Sequence, residues 1–264
     1  MTNPHSDNPY ETPIAANIKV KSPLWRLLSI IALVCAIVLV FFAILLPFRR
    51  DARPASLSMA CSNNMRQLGR ALLDYEQRYG EFPPAYTIDA NGQRLHSWRT
   101  LILPFIDGGG PLYQKLDLSR PWDDPVNDRV RKVSAKDFDC LDAFGCPSSK
   151  LPQGFTTYVA IVAPGSCLQP GKGRKVSEIK DGLDHTIFVC EANLDQAVHW
   201  MSPEDISPDM LLQSNEQSKS IHSSRRHALF GDCSVRLLGN YIDAGTLRAH
   251  VTIDGGESIP QRID

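Results

Sequence analysis

A run of 22 residues without a charged side chain, residues 27–48, constrains this chain more than any other feature. As an α-helix rising about 1.5 Å per residue, such a run is about 33 Å long, which matches a hydrocarbon layer of about 30 Å. The sequence on either side is polar. The run therefore predicts a transmembrane helix and argues against a freely soluble protein.

The ends of the run fit a membrane boundary. A Trp-Arg pair at 25–26 precedes it and an Arg-Arg pair at 49–50 follows it, and such side chains favour the headgroup region. A cleaved signal peptide has an apolar stretch of only about 7–15 residues behind a short leader, whereas 26 residues precede this run. A lipoprotein would need Cys61 as the acylated residue, 13 positions beyond Phe48. We therefore expect one uncleaved transmembrane helix within residues 24–50.

The orientation of this helix does not follow from charge alone. Three basic residues lie near it on the N-terminal side and five on the C-terminal side, which taken literally places the large domain in the cytoplasm. Long domains, however, cross the membrane largely regardless of charge. Six cysteines lie outside the run and Cys35 lies inside it, and an even number without a Cys-x-x-Cys pair favours disulfides over a metal site. We expect a single-pass protein of the cytoplasmic (inner) membrane with its N-terminus inside and its C-terminal domain outside the cytoplasm.

The rest of the chain divides into a tail and one domain. Residues 1–23 are polar and rich in proline, which predicts a disordered cytoplasmic tail. Residues 51–264 carry a net charge of -4 and are numerous enough for one sizeable core. The net charge of the whole chain, -1, argues against a nucleic-acid-binding protein.

An amphipathic helix is predicted soon after the apolar run. Apolar residues recur there at steps of four and three and so fall on one face: Cys61, Met65, Leu68, Leu72, Tyr75 and Tyr79. Gly80 suits a left-handed helix end, and Pro83-Pro84 prevents continuation. Because Pro47 and Pro54 lie between the two helical segments, the sequence allows either one kinked helix or two helices joined by a hinge.

Short strands and turns follow the amphipathic helix. Branched and aromatic residues predict two buried strands and the two arms of a hairpin at residues 156–163, 186–191, 227–230 and 234–238. Residues 243–251 predict a short helix. A long helix followed by strands predicts an α+β fold, in which a sheet covers the apolar face of the helix.

Residues 61–68, Cys-Ser-Asn-Asn-Met-Arg-Gln-Leu, resemble the Cys-x-Asn-Asn-Leu-Lys-Gln-Leu box of a bacterial family. These are pilin-like, type II secretion pseudopilin-like proteins of unknown function, named for a C-terminal signature of His, nine residues and Asp-Gly. Similar segments extend the resemblance over about residues 24–258, among them 79–85, 95–99, 121–125, 146–148, 200–205 and 243–257. The resemblance implies a pilin-like fold, in which a long N-terminal helix, membrane-spanning and then amphipathic, packs against an antiparallel β-sheet. It also raises Cys146 as the partner of Cys61, although six cysteines allow 15 pairings.

Two features depart from the family. His222 and Asp232 have the signature spacing, but Cys233 stands where the family has glycine, and a side chain at positive φ costs on the order of 1 kcal/mol. The turn can instead shift to Gly231-Asp232, with glycine first. The second departure is that residues 21–26 contain neither the glycine of a prepilin leader nor the glutamate that follows it. We therefore predict that prepilin peptidase does not process this chain, and a mature terminus near residue 24 in mass spectrometry would refute this.

The family motif supplies the candidate site residues: Cys61, Asn63, Asn64, Cys146, His222 and Asp232. The two asparagines lie near the start of the amphipathic helix. There a carboxamide more often bonds the local backbone or pins a neighbouring loop than binds a ligand. Cys61 is predicted either as a small core residue or as half of a disulfide.

The C-terminal hairpin also carries side chains that can bind metals, namely His222, His227, Asp232 and Cys233. Ligands on opposite arms of a hairpin need a particular twist to converge, so hydrogen bonding within the hairpin is the favoured interpretation. The sequence has no Gly-x-Ser-x-Gly elbow, His-Glu-x-x-His motif or Walker loop. We therefore assign no metal, no cofactor and no catalytic residue.

These features lead to one principal expectation and two others. We expect a non-enzymatic, membrane-anchored pseudopilin-like protein whose extracytoplasmic domain serves interaction or assembly. Its partners would be the lipid bilayer, further copies of itself or other pseudopilin-like subunits, and no nucleic acid. The alternative is an anchored sensor or binding module in which loops from 108 to 180 hold a small ligand or polysaccharide. An anchored hydrolase is the least favoured class.

Overall fold

The computed structural model describes residues 23–133, 137–213, 221–222, 225–239 and 242–257, and for residues 43–54 the backbone only. The chain divides into two compact units, one ending at Ala52 and the other beginning at Arg53. Each unit is described by itself. The predicted tail lies outside the described residues, apart from Pro23.

The first unit contains the apolar part of a long helix, α1, which extends over Pro23–Tyr79. Its segment Pro23–Phe42 has a mean hydropathy of 2.7, and none of it is buried. By length and composition this segment is able to cross a membrane. The backbone is helical through Pro47 and Pro54, so the alternative of two helices separated by a non-helical hinge is wrong.

The second unit combines the C-terminal part of α1 with short elements. Its described strands are β1 (Tyr86–Ile88), β2 (Arg94–Ser97), β3 (Phe155–Thr156), β4 (Tyr158–Ala160), β5 (Ile187–Glu191), β6 (Val198–His199), β7 (Arg225–Phe230) and β8 (Val235–Gly239). The short α-helices are α2 (Trp98–Leu101), α3 (Gly110–Tyr113), α4 (Asp128–Arg131), α5 (Pro208–Leu212) and α6 (Ala244–Val251). Turns of 3₁₀-helix lie at Leu103–Phe105, Pro125–Asn127, Asp139–Phe144, Val176–Glu178 and Leu194–Gln196.

The main sheet has four antiparallel strands in the order β4-β5-β7-β8. Two smaller sheets pair β1 with β2 and β3 with β6. The predicted α+β class is therefore confirmed. The predicted strand 156–163 is wrong in its extent, because β3 pairs with β6 while β4 pairs with β5. Between them the Thr156 side chain accepts a hydrogen bond from the Tyr158 backbone N–H at 2.9 Å.

The predicted apolar face of α1 covers one side of the main sheet. Cys61, Met65, Leu68 and Leu72 are buried in one core with sheet residues that include Leu229. The helix lies so close to the sheet that a Cβ added at Gly69 would come within 2.9 Å of Leu229 Cδ1. This contact explains why glycine interrupts an otherwise good helical sequence. The helix ends as predicted, since Gly80 has φ +79°.

One predicted member of the face differs, because Tyr79 is 58% exposed. It occupies the last helical position, where its ring contacts Tyr75 at a centroid distance of 4.5 Å and Phe105 at 6.2 Å. The helix therefore runs past the edge of the core by about one turn.

The opposite side of the main sheet is also covered, which the sequence did not indicate. Alternate strand residues such as Val159, Ala228 and Phe230 point into a second core that includes Leu247 and Val251 of α6. Helix α6 begins where predicted, because Asp243 Oδ1 accepts from the Thr246 N–H at 2.9 Å. The sheet thus lies between α1 and the C-terminal helix.

A buried ion pair connects two of the segments that resemble the family. Arg99 Nη2 lies 2.9 Å from Asp205 Oδ1, and both side chains are at most 2% exposed. The same carboxylate oxygen accepts from the Ala160 N–H at 2.8 Å and from Trp98 Nε1 at 3.3 Å. The Ser97 hydroxyl adds a bond to the Trp200 carbonyl at 3.2 Å. These contacts hold α2 against the strand β4 and the 200–205 segment.

The hairpin between β7 and β8 turns on a strained cysteine. Cys233 has φ +67° and is the non-glycine residue with positive φ in the described part of the chain. The Cys233 N–H donates to the Phe230 carbonyl at 3.0 Å, so the turn does centre on Gly231-Asp232 as the alternative predicted. Gly231 does not have the positive φ of a glycine-first hairpin turn, and the residue after the turn, Cys233, has it instead. Glycine is needed at 231 for space, because a Cβ there would come within 2.8 Å of Leu183 and Phe188.

We expect Cys233→Gly to raise the free energy of unfolding by about 1 kcal/mol, because glycine adopts positive φ without the Cβ penalty. Denaturant titration of the purified chain measures this change. Cys233→Ala is the control, since it removes the sulfur but keeps the Cβ. If the glycine variant is no more stable than the alanine variant, backbone strain at this turn is not significant.

Candidate functional site

Two of the candidate residues are covalently joined. Cys61 and Cys146 form a disulfide, with their Cα atoms 5.0 Å apart, inside the usual range for such bonds. Cys61 lies on the buried face of α1, and Cys146 follows the 3₁₀ turn Asp139–Phe144. Both are at most 3% exposed. The bond therefore ties the helix to a loop 85 residues further along the chain.

The neighbouring asparagines have different surroundings. Asn64 Nδ2 donates to the backbone carbonyls of Asp142 at 2.9 Å and Gly145 at 2.8 Å. Asn63 accepts from Arg66 one turn along the helix, at the surface. Asn64 thus holds the same loop as the disulfide, whereas Asn63 makes a local contact on the helix.

A cluster of polar side chains surrounds the disulfide. We call it the disulfide cluster; its members are Ser58, Cys61, Cys146, Tyr158, Glu191, His222 and His227. His222 Nε2 lies 3.4 Å from Cys146 Sγ and 3.5 Å from Glu191 Oε2. His227 Nδ1 lies 3.1 Å from the same Glu191 oxygen, and the two imidazole rings meet edge to face at 4.7 Å. Strand β5 supplies Glu191, and β7 supplies His227.

Ser58 and Tyr158 complete the cluster. Ser58 Oγ lies 3.1 Å from His227 Nε2, and the Tyr158 hydroxyl donates to the Cys61 carbonyl at 3.3 Å. An ionised Glu191 can only accept, so His227 donates from Nδ1, and in the neutral ring Nε2 then accepts from the Ser58 hydroxyl. Ser58, His227 and Glu191 therefore form a hydrogen-bonded relay in the order found in serine hydrolases.

Glu191 is the charged centre of the cluster. It is 2% exposed, and its Oε1 has no hydrogen-bond partner among the described residues. Burial alone raises the pKa of Glu191, but hydrogen bonds and charge interactions with His222 and His227 outweigh burial and place the pKa below its ordinary value. Burial and the charge of Glu191 raise the pKa of Tyr158 well above its usual range. Arg226 also interacts with the charge of Glu191.

We expect acid to weaken the fold through Glu191. A carboxylate with a depressed folded pKa adds stability that is present above its unfolded pKa of about 4.3 and is lost as the pH falls through the lower folded value. In denaturant titrations between about pH 6 and pH 3, the difference in stability between wild type and Glu191→Gln should shrink as the pH falls. Taking the difference removes the contributions of the other carboxylates. A difference that does not vary with pH would contradict the depressed pKa.

The C-terminal signature does not assemble as one group in the described residues. Asp232 lies exposed in the turn, where its Oδ1 accepts from the Ser234 N–H at 2.9 Å. His222 and His227 instead meet Glu191 near the other end of β7. The four-residue metal set considered from the sequence, which included Asp232 and Cys233, is therefore not formed.

Sequence reasoning missed Glu191, Ser58 and Tyr158. Glu191 carried a usable signal, since an acidic residue at the end of a buried strand is rarely buried without a partner. Ser58 carried none, because it lies on the helix without any motif around it. The partners of Glu191 lie 31 and 36 residues further along the chain, and only the folded sheet brings them together.

The even number of cysteines correctly indicated a disulfide, but it did not show how many of the cysteines are paired. Apart from Cys61 and Cys146, the cysteines are free thiols: Cys35, Cys140, Cys167, Cys190 and Cys233. Burial raises the pKa of Cys190 to about 12 and that of Cys167 well above its usual range. These buried thiols stay protonated and behave as small core side chains.

A group of aromatic rings lies in and beside the loops from 108 to 180, which the alternative function, a binding module, would use. Stacked rings run from Trp122 to His199, Trp200 and Phe144, with centroid distances of 5.1, 6.3 and 5.5 Å. A depression of about 180 Å³ lies beside Phe144, Phe155 and Trp200. Because Trp200 is buried, most of this aromatic surface belongs to the core.

The fold defines this chain as an α+β protein with a candidate membrane anchor. Residues 50–169 match the model of a family described as "Protein of unknown function (DUF1559)". The match includes Cys61, Asn64 and Cys146 but ends before Glu191 and His222, and it covers less than half of the chain. No curated protein and no solved structure matches the chain. The match supports the resemblance over its central part and leaves the C-terminal signature without support.

Proposed function

We propose that this protein is a non-enzymatic, membrane-anchored pseudopilin-like protein whose α+β domain serves interaction or assembly outside the cytoplasm. The observation that carries the proposal is the segment Pro23–Phe42, whose apolar side chains are all unburied within the chain. Exposing the apolar side chains of this 20-residue segment to water would cost about 25 cal/mol per Å² of apolar surface. A lipid bilayer removes this cost, so the bilayer is the first partner.

The disulfide supports the extracytoplasmic orientation. Disulfides persist in oxidising compartments and are rare where thioredoxin and glutathione systems act. Cys61 lies 19 residues beyond Phe42, so this bond and the folded domain begin close to the membrane segment along the chain. The resemblance supplies the assembly role, and the partners it implies are further copies of this chain or other pseudopilin-like subunits.

Protease protection in intact cells tests the orientation. We expect protease added outside the inner membrane to digest the C-terminal domain and to leave a small N-terminal fragment. A thiol-alkylation assay on the same samples should show Cys61 and Cys146 blocked in the absence of reductant. A fully protected domain with both thiols free would refute the extracytoplasmic location.

Crosslinking in membranes tests the assembly role. A ladder of self-adducts is expected, with the outer strand β8 of the main sheet as the edge available for contact, because the 205–206 segment already bonds the outer side of β4. An unchanged monomer would instead favour the binding module, for which the depression beside Phe144 and Phe155 is the supporting observation. Phe155→Ala should then reduce retention on a polysaccharide matrix without changing the crosslinking pattern.

The Ser58 relay gives the non-enzymatic proposal a direct test. A serine nucleophile needs donors for the developing oxyanion, but Ser58 lies inside α1, whose backbone N–H groups bond along the helix. We therefore expect a fluorophosphonate probe to leave Ser58 unlabelled in the full-length protein. Labelling that is lost in Ser58→Ala and His227→Gln would show that the protein is a hydrolase.

A further inference from the structure

We infer that, once the Cys61–Cys146 disulfide is reduced, the disulfide cluster binds one zinc-class divalent cation. The ligands are the two cysteine sulfurs, a carboxylate oxygen of Glu191 and His222 Nε2. The helix–loop junction then has two alternative cross-links, a disulfide in the oxidised chain and a metal ion in the reduced chain. This inference goes beyond the proposed function and holds for either orientation in the membrane.

The positions of the ligand atoms carry the inference. One ligand atom from each of Cys61, Cys146, Glu191 and His222 lies within 4.8 Å of all the others. In a tetrahedral site with bonds of about 2.0–2.3 Å, ligand atoms are about 3.3–3.8 Å apart. The distances from His222 Nε2 to Cys146 Sγ, 3.4 Å, and to Glu191 Oε2, 3.5 Å, already have this value. The two sulfurs must separate, which reduction allows, and the other pairs of ligand atoms lie within 4.8 Å of each other.

The chemistry of the four ligands selects the cation. Two thiolates, an imidazole and a carboxylate form a closed tetrahedral set of the kind that structural zinc sites use. Three of the four residues are buried, and the His222 side chain is 13% exposed. The site therefore excludes most water and leaves no open position for a substrate, as expected of a structural rather than a catalytic metal.

Glu191 provides an observation independent of the sulfurs. Its carboxylate is 2% exposed, and Oε1 has no hydrogen-bond partner among the residues that the structure describes. A buried oxygen of this kind is costly unless something binds it. A cation bound to this carboxylate would supply a counter-charge to the buried group.

Neighbouring side chains are placed to orient the ligands. His227 Nδ1 holds Glu191 Oε2 at 3.1 Å, and Ser58 holds the opposite nitrogen of the same ring. The Tyr158 hydroxyl bonds the Cys61 carbonyl at 3.3 Å. Contacts of this type fix the direction of metal ligands and raise affinity. His227 is thus a positioning residue.

The chemical balance is simple. Reduction of the disulfide consumes two electrons and two protons, which a phosphine reductant and water supply as the phosphine becomes its oxide. Binding of the cation to the resulting thiols releases two protons, one from each sulfur. Exchange with a small-molecule disulfide would re-form the bond, reduce that reagent to two thiols and expel the ion, because the sulfurs cannot bond to each other and to zinc as thiolates at once.

Cobalt binding by the full-length protein in detergent micelles tests the inference. The chain is reduced with a phosphine under anaerobic conditions, and the reductant is then removed. The reduced protein is titrated first with Co²⁺ and then with Zn²⁺. We expect one equivalent of Co²⁺, with sulfur-to-cobalt charge-transfer bands and the strong visible bands of a tetrahedral site, and displacement by Zn²⁺. His222→Gln and Glu191→Gln should each weaken binding by about tenfold or more, and the double variant Cys61→Ser with Cys146→Ser should remove the charge-transfer bands of this site.

Controls separate this site from the other thiols and from loss of fold. Cys233→Ser should bind cobalt as wild type does, because Cys233 is a free thiol outside the cluster. The oxidised forms of His222→Gln and Glu191→Gln should still unfold cooperatively, which shows that weaker metal binding is not misfolding. The inference is overturned if the reduced chain binds no cobalt or if the oxidised chain binds it equally. It is also overturned if neither His222→Gln nor Glu191→Gln weakens binding.

Discussion

Asp205→Ala is expected to lower the free energy of unfolding by about 3–5 kcal/mol, since it leaves a buried guanidinium without its counter-charge. The Arg99 side chain is fully buried and the Asp205 carboxylate nearly so, so no water replaces the lost partner. The change also removes the acceptor for the Ala160 N–H and for Trp98 Nε1. Chemical denaturation followed by tryptophan fluorescence measures the effect.

An exposed ion pair provides the matched control. Arg248 and Asp209 lie 3.1 Å apart, but their side chains are more than 60% exposed, so Asp209→Ala should cost less than about 1 kcal/mol. If Asp205→Ala does not yield folded protein, the pair Arg99→Met with Asp205→Leu should restore folding, because it removes both charges. A loss below about 1 kcal/mol for Asp205→Ala would show that the Arg99–Asp205 pair adds little.

Removal of the disulfide is expected to have a similar effect. The bond closes a loop of 85 residues, and the chain-entropy relation gives about 4.6 kcal/mol for a loop of this length. Cys61→Ala with Cys146→Ala should therefore lower the free energy of unfolding by about that amount. Asn64 still holds the loop carbonyls in this variant, so the native topology should persist.

Reductant distinguishes the cross-link from packing of the two sulfurs. With a metal chelator present, reductant should destabilise the wild type by about 4.6 kcal/mol and leave the double variant unchanged. The free thiols, for example Cys140 and Cys167, are common to both proteins and therefore cancel in this comparison. If reductant does not change the stability of the wild type, the disulfide does not contribute to it.

Features that depend on nearby residues were predictable. The apolar run, the buried face from Cys61 to Leu72, the helix end at Gly80 and the cap at Asp243 all follow from patterns within a few residues. The strand at Ile187–Glu191 and the β7–β8 hairpin were also close to their predicted positions. The end of the apolar face at Tyr79 was wrong, because a periodic pattern does not show where the partner surface stops.

The candidate site was only partly predictable. The resemblance pointed to Cys61, Cys146 and His222, and these three side chains do meet. The same motif contained Asp232, which does not join them; it lies in the turn, where its side chain accepts from the Ser234 backbone N–H. Glu191, around which both histidines gather, was absent from the prediction because burial of a charge is visible only once the strands are paired.

The sequence by itself determined that the chain has an apolar segment of membrane-spanning length and an α+β domain, since both rest on the character and spacing of neighbouring residues. The tertiary structure decided which side chains share a buried space. Arg99 meets Asp205 across 106 residues, and Cys61 meets Cys146 across 85. Such pairs depend on how the sheet, helix and loops pack together, because contact between distant residues is set by chain topology and not by local conformational preference.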